Sequence, residues 1–314
     1  MTSNALPSPL RGIIPPMVTP LRDPDALDLA GLERLIEHIL AGGVHGLFIL
    51  GTTGEAPSLS HRLRHEFVER VCTQVNGRVP VLVGITDTSF VESLNLAQRA
   101  ADVGADALVL ASPYYFLAGQ PELLEYLQHL VPQVSLPVLL YNMPNRPNSV
   151  FEPDIVKAAA EIPGVVGLKD SSTNMMYFRL LQSVMEDRPE FSLLVGPETL
   201  LAETVLLGGH GGVCGGANVL PRLYVDLYEA AAAKDLPTVE RLHRQVVRIN
   251  ATLYRVGRFS SSFLKGIKCA LSCLDICSDF VAEPFHRFRE PEREIVRRYV
   301  AELGITKDGL ADLK

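Results

Sequence analysis

Val165-Val166-Gly167-Leu168-Lys169-Asp170-Ser171-Ser172 is the stretch on which the reading of this chain turns. A short apolar run of strand character ends in a lysine, and hydroxyl side chains follow. Lysine is scarce here; the others are Lys157, Lys234, Lys265, Lys268, Lys307 and Lys314. A lysine closing a buried strand holds its amine half within an apolar wall, where desolvation disfavours the ammonium form. That is the condition under which a lysine attacks a carbonyl. The plainer alternative is a solvated lysine at a strand exit, and the flanking segments decide between the two.

On both sides of this strand the pattern repeats. Short segments rich in Val, Leu and Ile are predicted at 13–18, 44–50, 79–83, 107–110, 137–141, 165–168, 191–195 and 211–216. Helical periodicity is predicted at 29–40, 60–75, 89–103, from 121, and at 152–160, 174–185 and 199–207. Gly42-Gly43 closes the first of these helices, and Pro121 opens the fourth. The repeat is about 30 residues long, the length of one strand–helix–strand unit. Strands of this composition suit a parallel sheet covered on both faces. The predicted architecture is a (β/α)8 TIM barrel. A doubly wound sheet would want a glycine fingerprint after the first strand, where this chain has Pro15-Pro16. Beyond Pro221 the pattern is helical throughout, at 222–233, 239–256, 260–273 and 291–303. The predicted division is a barrel over 1–234 and a C-terminal helical extension over 235–314, packed on the barrel.

Composition narrows the function. The chain has 314 residues, is 47% hydrophobic, and carries a formal net charge of −7. An acidic chain without a basic cluster argues against nucleic acid or an anionic membrane as partner. No apolar run nears the roughly 18 residues of a membrane span, and the first residues lack the apolar core of a secretion signal. A cytoplasmic location is expected. Cys269, Cys273 and Cys277 fall on one helical face, but zinc sites use closer pairs joined by a second pair or by histidines. These thiols are predicted to pack as small core groups. His61 and His65 share a helix with Arg62, Arg64 and Glu66 and read as a solvated face. No metal site is predicted.

A barrel takes its catalytic groups from the C-terminal ends of different strands. Those ends carry Thr52 and Thr53, Tyr114 and Tyr115, Tyr141, Lys169, and the glycines of 211–216. One amine, phenols and hydroxyls suit carbonyl chemistry, in which the lysine forms an imine and a phenol moves protons. Thr53 and the backbone N–H groups around Thr52-Thr53-Gly54 can hold a carboxylate. The set contains no acid pair for glycoside hydrolysis. Asp170 should point to the opposite face from Lys169 and reads as structural. Glu55 reads as a holder of its loop or of the following helix, and His210, between glycines, as a turn residue.

Gly51-Thr52-Thr53-Gly54-Glu55, Pro113-Tyr114-Tyr115, Tyr141-Asn142-Met143-Pro144, Gly167-Leu168-Lys169-Asp170-Ser171-Ser172 and the segment 211–218 together resemble the dihydrodipicolinate synthase / N-acetylneuraminate lyase family. The resemblance spans roughly residues 11 to 300, with the five motifs in order at the ends of the right strands. It implies a class I lyase acting on pyruvate or a related 2-oxo acid through a covalent imine, with no cofactor, in a homotetramer. It assigns the imine to Lys169 and proton transfer to Tyr141. It makes Thr52 a link from Tyr141 to Tyr115, the latter supplied by a neighbouring subunit. Thr53 would bind the pyruvyl carboxylate, and Val213 would line the same pocket through its backbone.

Arg146 stands where the synthase branch binds the carboxylate of its aldehyde partner, and a guanidinium suits that group. Around it the chain departs from the synthase pattern, with Pro147-Asn148, Phe116-Leu117-Ala118, Gly196-Pro197-Glu198 and Ile85-Thr86-Asp87-Thr88. The pyruvyl half matches and the aldehyde half does not. The leading expectation is therefore an aldolase, with a 2-keto-3-deoxy sugar acid as a candidate substrate. The synthase, condensing pyruvate with aspartate semialdehyde, is the second. A barrel that binds a 2-oxo acid without turning it over is the third, although such a protein has no need of the amine.

Overall fold

The structure, a computed structural model, describes residues 6–144 and 150–310. Eight parallel strands form its centre. They are β1 (Gly12–Ile13), β2 (Leu47–Ile49), β3 (Val81–Gly84), β4 (Ala107–Ala111), β5 (Val138–Asn142), β6 (Val165–Asp170), β7 (Ser192–Val195) and β8 (Gly211–Gly212). Each strand from β2 to β8 pairs with the next, and β8 pairs with β1. A parallel bridge between Pro16 and Phe48 closes the ring. The first strand is regular for two residues rather than the predicted six. Pro15 and Pro16 have no N–H for a ladder, so donors come from their neighbours. Phe48 donates to the Pro15 carbonyl (2.9 Å) and Met17 to the Phe48 carbonyl (2.8 Å).

Helices α1 (Leu29–Ala41), α2 (His61–Val75), α3 (Phe90–Asp102), α4 (Gln120–Leu130), α5 (Pro153–Ala159), α6 (Met175–Val184), α7 (Leu201–Leu206) and α8 (Pro221–Ala232) follow the strands in turn. Polar side chains begin several of them. Asp28, Ser60, Ser89 and Asn174 each accept an N–H from the first turn of α1, α2, α3 and α6, satisfying donors that no preceding turn can. Then come α9 (Leu236–Thr252), α10 (Ser262–Cys273) and α11 (Glu290–Glu302).

The period-two alternation of each strand sorts its side chains into two cores. Ile14, Phe48, Leu82, Val109, Leu139, Tyr141, Leu194 and Val213 pack with Leu10 and Ala107 inside the barrel. Ile13, Leu47, Ile49, Leu108, Leu140, Leu168 and Val195 face the helices in a larger cluster that continues through Val246, Ile267 and Val296 of the C-terminal helices. The five cysteines are free, and all except Cys273 are buried. Among the described residues no cluster of His, Cys, Asp and Glu could hold a metal ion. No helix among them is long and apolar enough to cross a membrane.

Candidate active site

Strand β6 runs two residues beyond its predicted end, so Lys169 and Asp170 lie within the sheet. The ladder sets Ala111, Tyr141, Lys169 and Leu194 side by side on β4 to β7. Tyr141 and Leu194 point into the barrel, and Lys169 points with them. Asp170 points the other way, as the alternation requires. It accepts from Asn142 (2.8 Å) and from the Ser172 hydroxyl (2.8 Å), tying β5 to the loop after β6.

Lys169 is 5% exposed. Its Nζ lies 4.0 Å from the centre of the Tyr141 ring and 5.0 Å from that of Phe48. Ring faces attract a cation with about 0.5–2 kcal/mol each. Two of them offset part of the cost of placing an amine in an apolar wall. Among the described residues no carboxylate pairs with it.

The Tyr141 hydroxyl is 3.3 Å from Thr52 Oγ1, and it donates to Met143 Sδ at 3.3 Å. Burial alone would push this phenol up. The Lys169 charge and hydrogen bonds with Thr52, Ser171 and Lys169 outweigh burial and hold it below the ordinary tyrosine value. A phenol so placed gives up and recovers a proton more readily than a free one.

Thr52 and Thr53 sit on a constrained loop. Leu50 and Glu55, which bracket Gly51–Gly54, both adopt left-handed backbone (φ 57° and 60°). Such a conformation costs a non-glycine residue of order 1–3 kcal/mol, so the surroundings must hold it. The Thr19 hydroxyl donates to the Gly54 carbonyl at 2.7 Å. Glu55 Oε2 accepts the Ala282 N–H at 2.7 Å, and its other oxygen pairs with Lys268. Glu55 thus holds its loop, as the sequence reading has it. Gly51 permits a close approach: a Cβ there would lie 2.6 Å from the Phe48 ring beneath Lys169.

A cavity of about 440 Å³ opens over this group. Phe48, Thr52, Thr53, Tyr114 and Tyr141 line one side. The other side comes from the C-terminal segment, with Ser260, Ser261, Phe263, Leu264, Pro284 and Phe285.

Other predicted site residues stand apart. Tyr115 is 75% exposed, stacks edge-on with Phe116 (5.0 Å between ring centres), and does not line this cavity. Within one chain the Thr52 link therefore reaches Tyr141 and not Tyr115. Val213 is buried in the barrel interior and its N–H bonds the Val195 carbonyl (2.8 Å), so any backbone contact to a ligand is through its own carbonyl. Arg146 lies outside the described residues. His61 is more than solvated. It is half exposed but faces Asp87 (3.2 Å) and Glu92 (3.4 Å). His210 Nδ1 accepts the Leu193 N–H at 2.9 Å, which binds the loop before β8 to β7.

Phe48, Met143 and Ser171 belong to the site; the sequence reading quotes Met143 and Ser171 within motifs without giving either a role, and does not single out Phe48. Ser171 carried a signal, because two residues beyond Lys169 an extended chain returns to the same face. The residues from 260–264 and 284–285 carried none, since nothing local ties them to the barrel mouth.

The chain matches the Dihydrodipicolinate synthetase family over residues 9–303. The chain belongs to this family. A solved dihydrodipicolinate synthase from Bacteroides thetaiotaomicron is 57% identical, with a TM-score of 0.93, and the match covers 95% of this chain and 100% of that one. YagE, a prophage protein of the dihydrodipicolinic acid synthase family from E. coli K12, solved in complex with pyruvate, is 30% identical with a TM-score of 0.89, covering 94% of this chain and 99% of that one. The probable 2-dehydro-3-deoxy-D-pentonate aldolase YjhH of E. coli K12 is 33% identical over 84% of this chain and 87% of its own length. This family member is a lyase on a TIM barrel, and the non-catalytic reading is set aside.

Proposed function

We propose that this lyase forms an imine between Lys169 and a 2-oxo acid, pyruvate or its aldol adduct. The observation that carries the reading is the buried Lys169 amine lying against Tyr141, whose hydroxyl reaches Thr52. The Lys169 nitrogen adds to the 2-oxo carbon, giving a carbinolamine. Tyr141 supplies the proton with which the oxygen leaves as water, and the C=N bond forms. In the cleavage direction the Tyr141 phenolate takes the proton of the 4-hydroxyl and the C3–C4 bond breaks. Its electron pair moves toward the iminium to give an enamine, and an aldehyde departs. Protonation of the enamine at C3 and hydrolysis release pyruvate and free Lys169. The iminium is the electron sink, so the reaction asks for no cofactor. Thr53 and the loop N–H groups hold the carboxylate, and we assign the Val213 carbonyl a contact to the same ligand from the barrel interior.

The cavity supports a hydroxylated partner aldehyde, as in a 2-keto-3-deoxy sugar acid. Hydroxyl side chains of Ser58, Tyr114, Ser260 and Ser261 and the rings of Phe263 and Phe285 line it, and no arginine is among its described lining residues. The relative named as a pentonate aldolase agrees. A second reading, condensation of pyruvate with aspartate semialdehyde, is favoured by the 57% identity to a solved dihydrodipicolinate synthase and by Arg146 in the sequence. We assign the enzyme to the cytoplasm, in keeping with five free cysteines. We treat 235–314 as an extension packed on the 1–234 barrel. A homotetramer, with Tyr115 lent to the neighbour's site, accounts for its exposure here.

Borohydride reduction with pyruvate tests the chemistry. A stable adduct mapped to Lys169 supports it, and a folded, pyruvate-binding protein that cannot be trapped would sink it. A screen of aldehydes with pyruvate, alongside cleavage of candidate sugar acids, separates the two partners.

A further inference from the structure

Lys268 sits on α10, far along the chain from the barrel strands, and is fully buried. Its Nζ donates to the Phe280 carbonyl at 2.7 Å and pairs with the Glu55 carboxylate. The other Glu55 oxygen accepts the Ala282 N–H. One buried carboxylate therefore joins the Thr52-Thr53 loop to α10 and to the segment after it. The loop needs an outside hold, because Leu50 and Glu55 keep left-handed backbone at its two ends. Glu55 is two residues from Thr53, and both line the cavity. A buried ion that loses its partner is strongly disfavoured, so the loop cannot leave this geometry without exposing or stranding a charge.

We infer that Lys268 is a positioning residue for the carboxylate-binding loop: through Glu55, α10 sets Thr52 and Thr53 against the substrate. The role rests on the Schiff-base reading for its ligand, but the loop geometry it predicts does not. Lys268 touches no reacting atom. Its removal therefore loosens the grip on the 2-oxo acid more than it slows the later steps.

The test uses the full chain. Lys268→Gln keeps a donor for the Phe280 carbonyl and removes the charge. Its KM for pyruvate, read from steady-state kinetics or from the concentration dependence of borohydride trapping, should rise roughly 10- to 100-fold, the range for losing a charged hydrogen bond. The kcat should stay within about threefold, since chemistry at Lys169 is untouched. The double variant Glu55→Gln/Lys268→Gln removes both charges and should recover most of the KM, because a neutral pair leaves no stranded ion. Amide exchange at Glu55 and Ala56, whose N–H groups bond back to Thr52 and Gly51, should quicken in Lys268→Gln and slow again in the double variant. An unchanged KM in folded Lys268→Gln, or unchanged exchange at those amides, overturns the inference. So does a double variant no better than the single. Should Lys268→Gln fail to fold, Lys268→Met, which also removes the charge at similar length, is read the same way. If wild type cannot be trapped with pyruvate, the Schiff-base reading falls, and the exchange measurement still decides the role of Lys268.

Discussion

Tyr141→Phe removes one oxygen and leaves the ring on which Lys169 rests. The hydroxyl lies 3.3 Å from Thr52 Oγ1 and 3.3 Å from Met143 Sδ, beside its hydrogen bonds with Ser171 and Lys169. Ordinary hydrogen bonds contribute about 0.5–1.5 kcal/mol to stability, and the Thr52 contact, at 3.3 Å between oxygens, belongs at the low end. For a chain this large, a loss near 1 kcal/mol lowers the melting temperature by only about 2–4 °C or less. Catalysis should suffer far more. A positioned acid–base group contributes roughly 10²–10⁴-fold, or about 3–5 kcal/mol of barrier. The assay is kcat/KM for cleavage of the preferred sugar acid, or for condensation if that proves the reaction, beside a thermal melt. The pH profile is a second reading. The phenol donates only while protonated, so activity falls as pH rises through its value, which lies below the ordinary 10.0. That alkaline limb should vanish in the variant. A kcat/KM within threefold of wild type, or an unchanged limb, would refute the role given to Tyr141. A collapse in melting temperature matching the loss of activity would refute the separation of chemistry from packing.

Lys169→Ala should abolish borohydride-trapped adduct and turnover while the melt stays near or above wild type, since a buried amine with no carboxylate partner among the described residues is removed; appreciable turnover would contradict the assignment. Arg146→Ala should raise KM for a carboxylate-bearing aldehyde and spare pyruvate, and equal loss of both would make Arg146 structural. His210 gives a stability test. Its ring is held down to about 4, first by burial and then by Arg11, while the ordinary value is 6.5. Between those values the unfolded chain binds the proton that the folded chain refuses, so stability is whole above pH 6.5 and declines as pH falls toward about 4. His210→Asn, which keeps an acceptor for the Leu193 N–H, should flatten that decline in melts across pH, and an unchanged slope would count against it.

The alternation of strands and helices was legible because parallel strands buried on both faces need apolar runs, and the helices need a stripe. The ends of those runs then named Thr52, Tyr141 and Lys169 as neighbours on one rim. Strand limits were less legible where backbone chemistry overrode pattern. Prolines cut the regular part of β1 short, and polar Lys169 and Asp170 remain in β6 because one faces aromatic rings and the other faces Asn142. Cavity residues from 260–264 and 284–285 were invisible, since their contacts span long sequence separations. The sequence by itself determined the barrel, the amine and its phenol, because period-two alternation and strand ends are local properties. Only the tertiary structure decided which ring lies under the amine, that Tyr115 leaves its own chain's cavity, and that Glu55 is held by a lysine more than 200 residues away. Those depend on ring closure and on how the last helices pack, which no local pattern encodes.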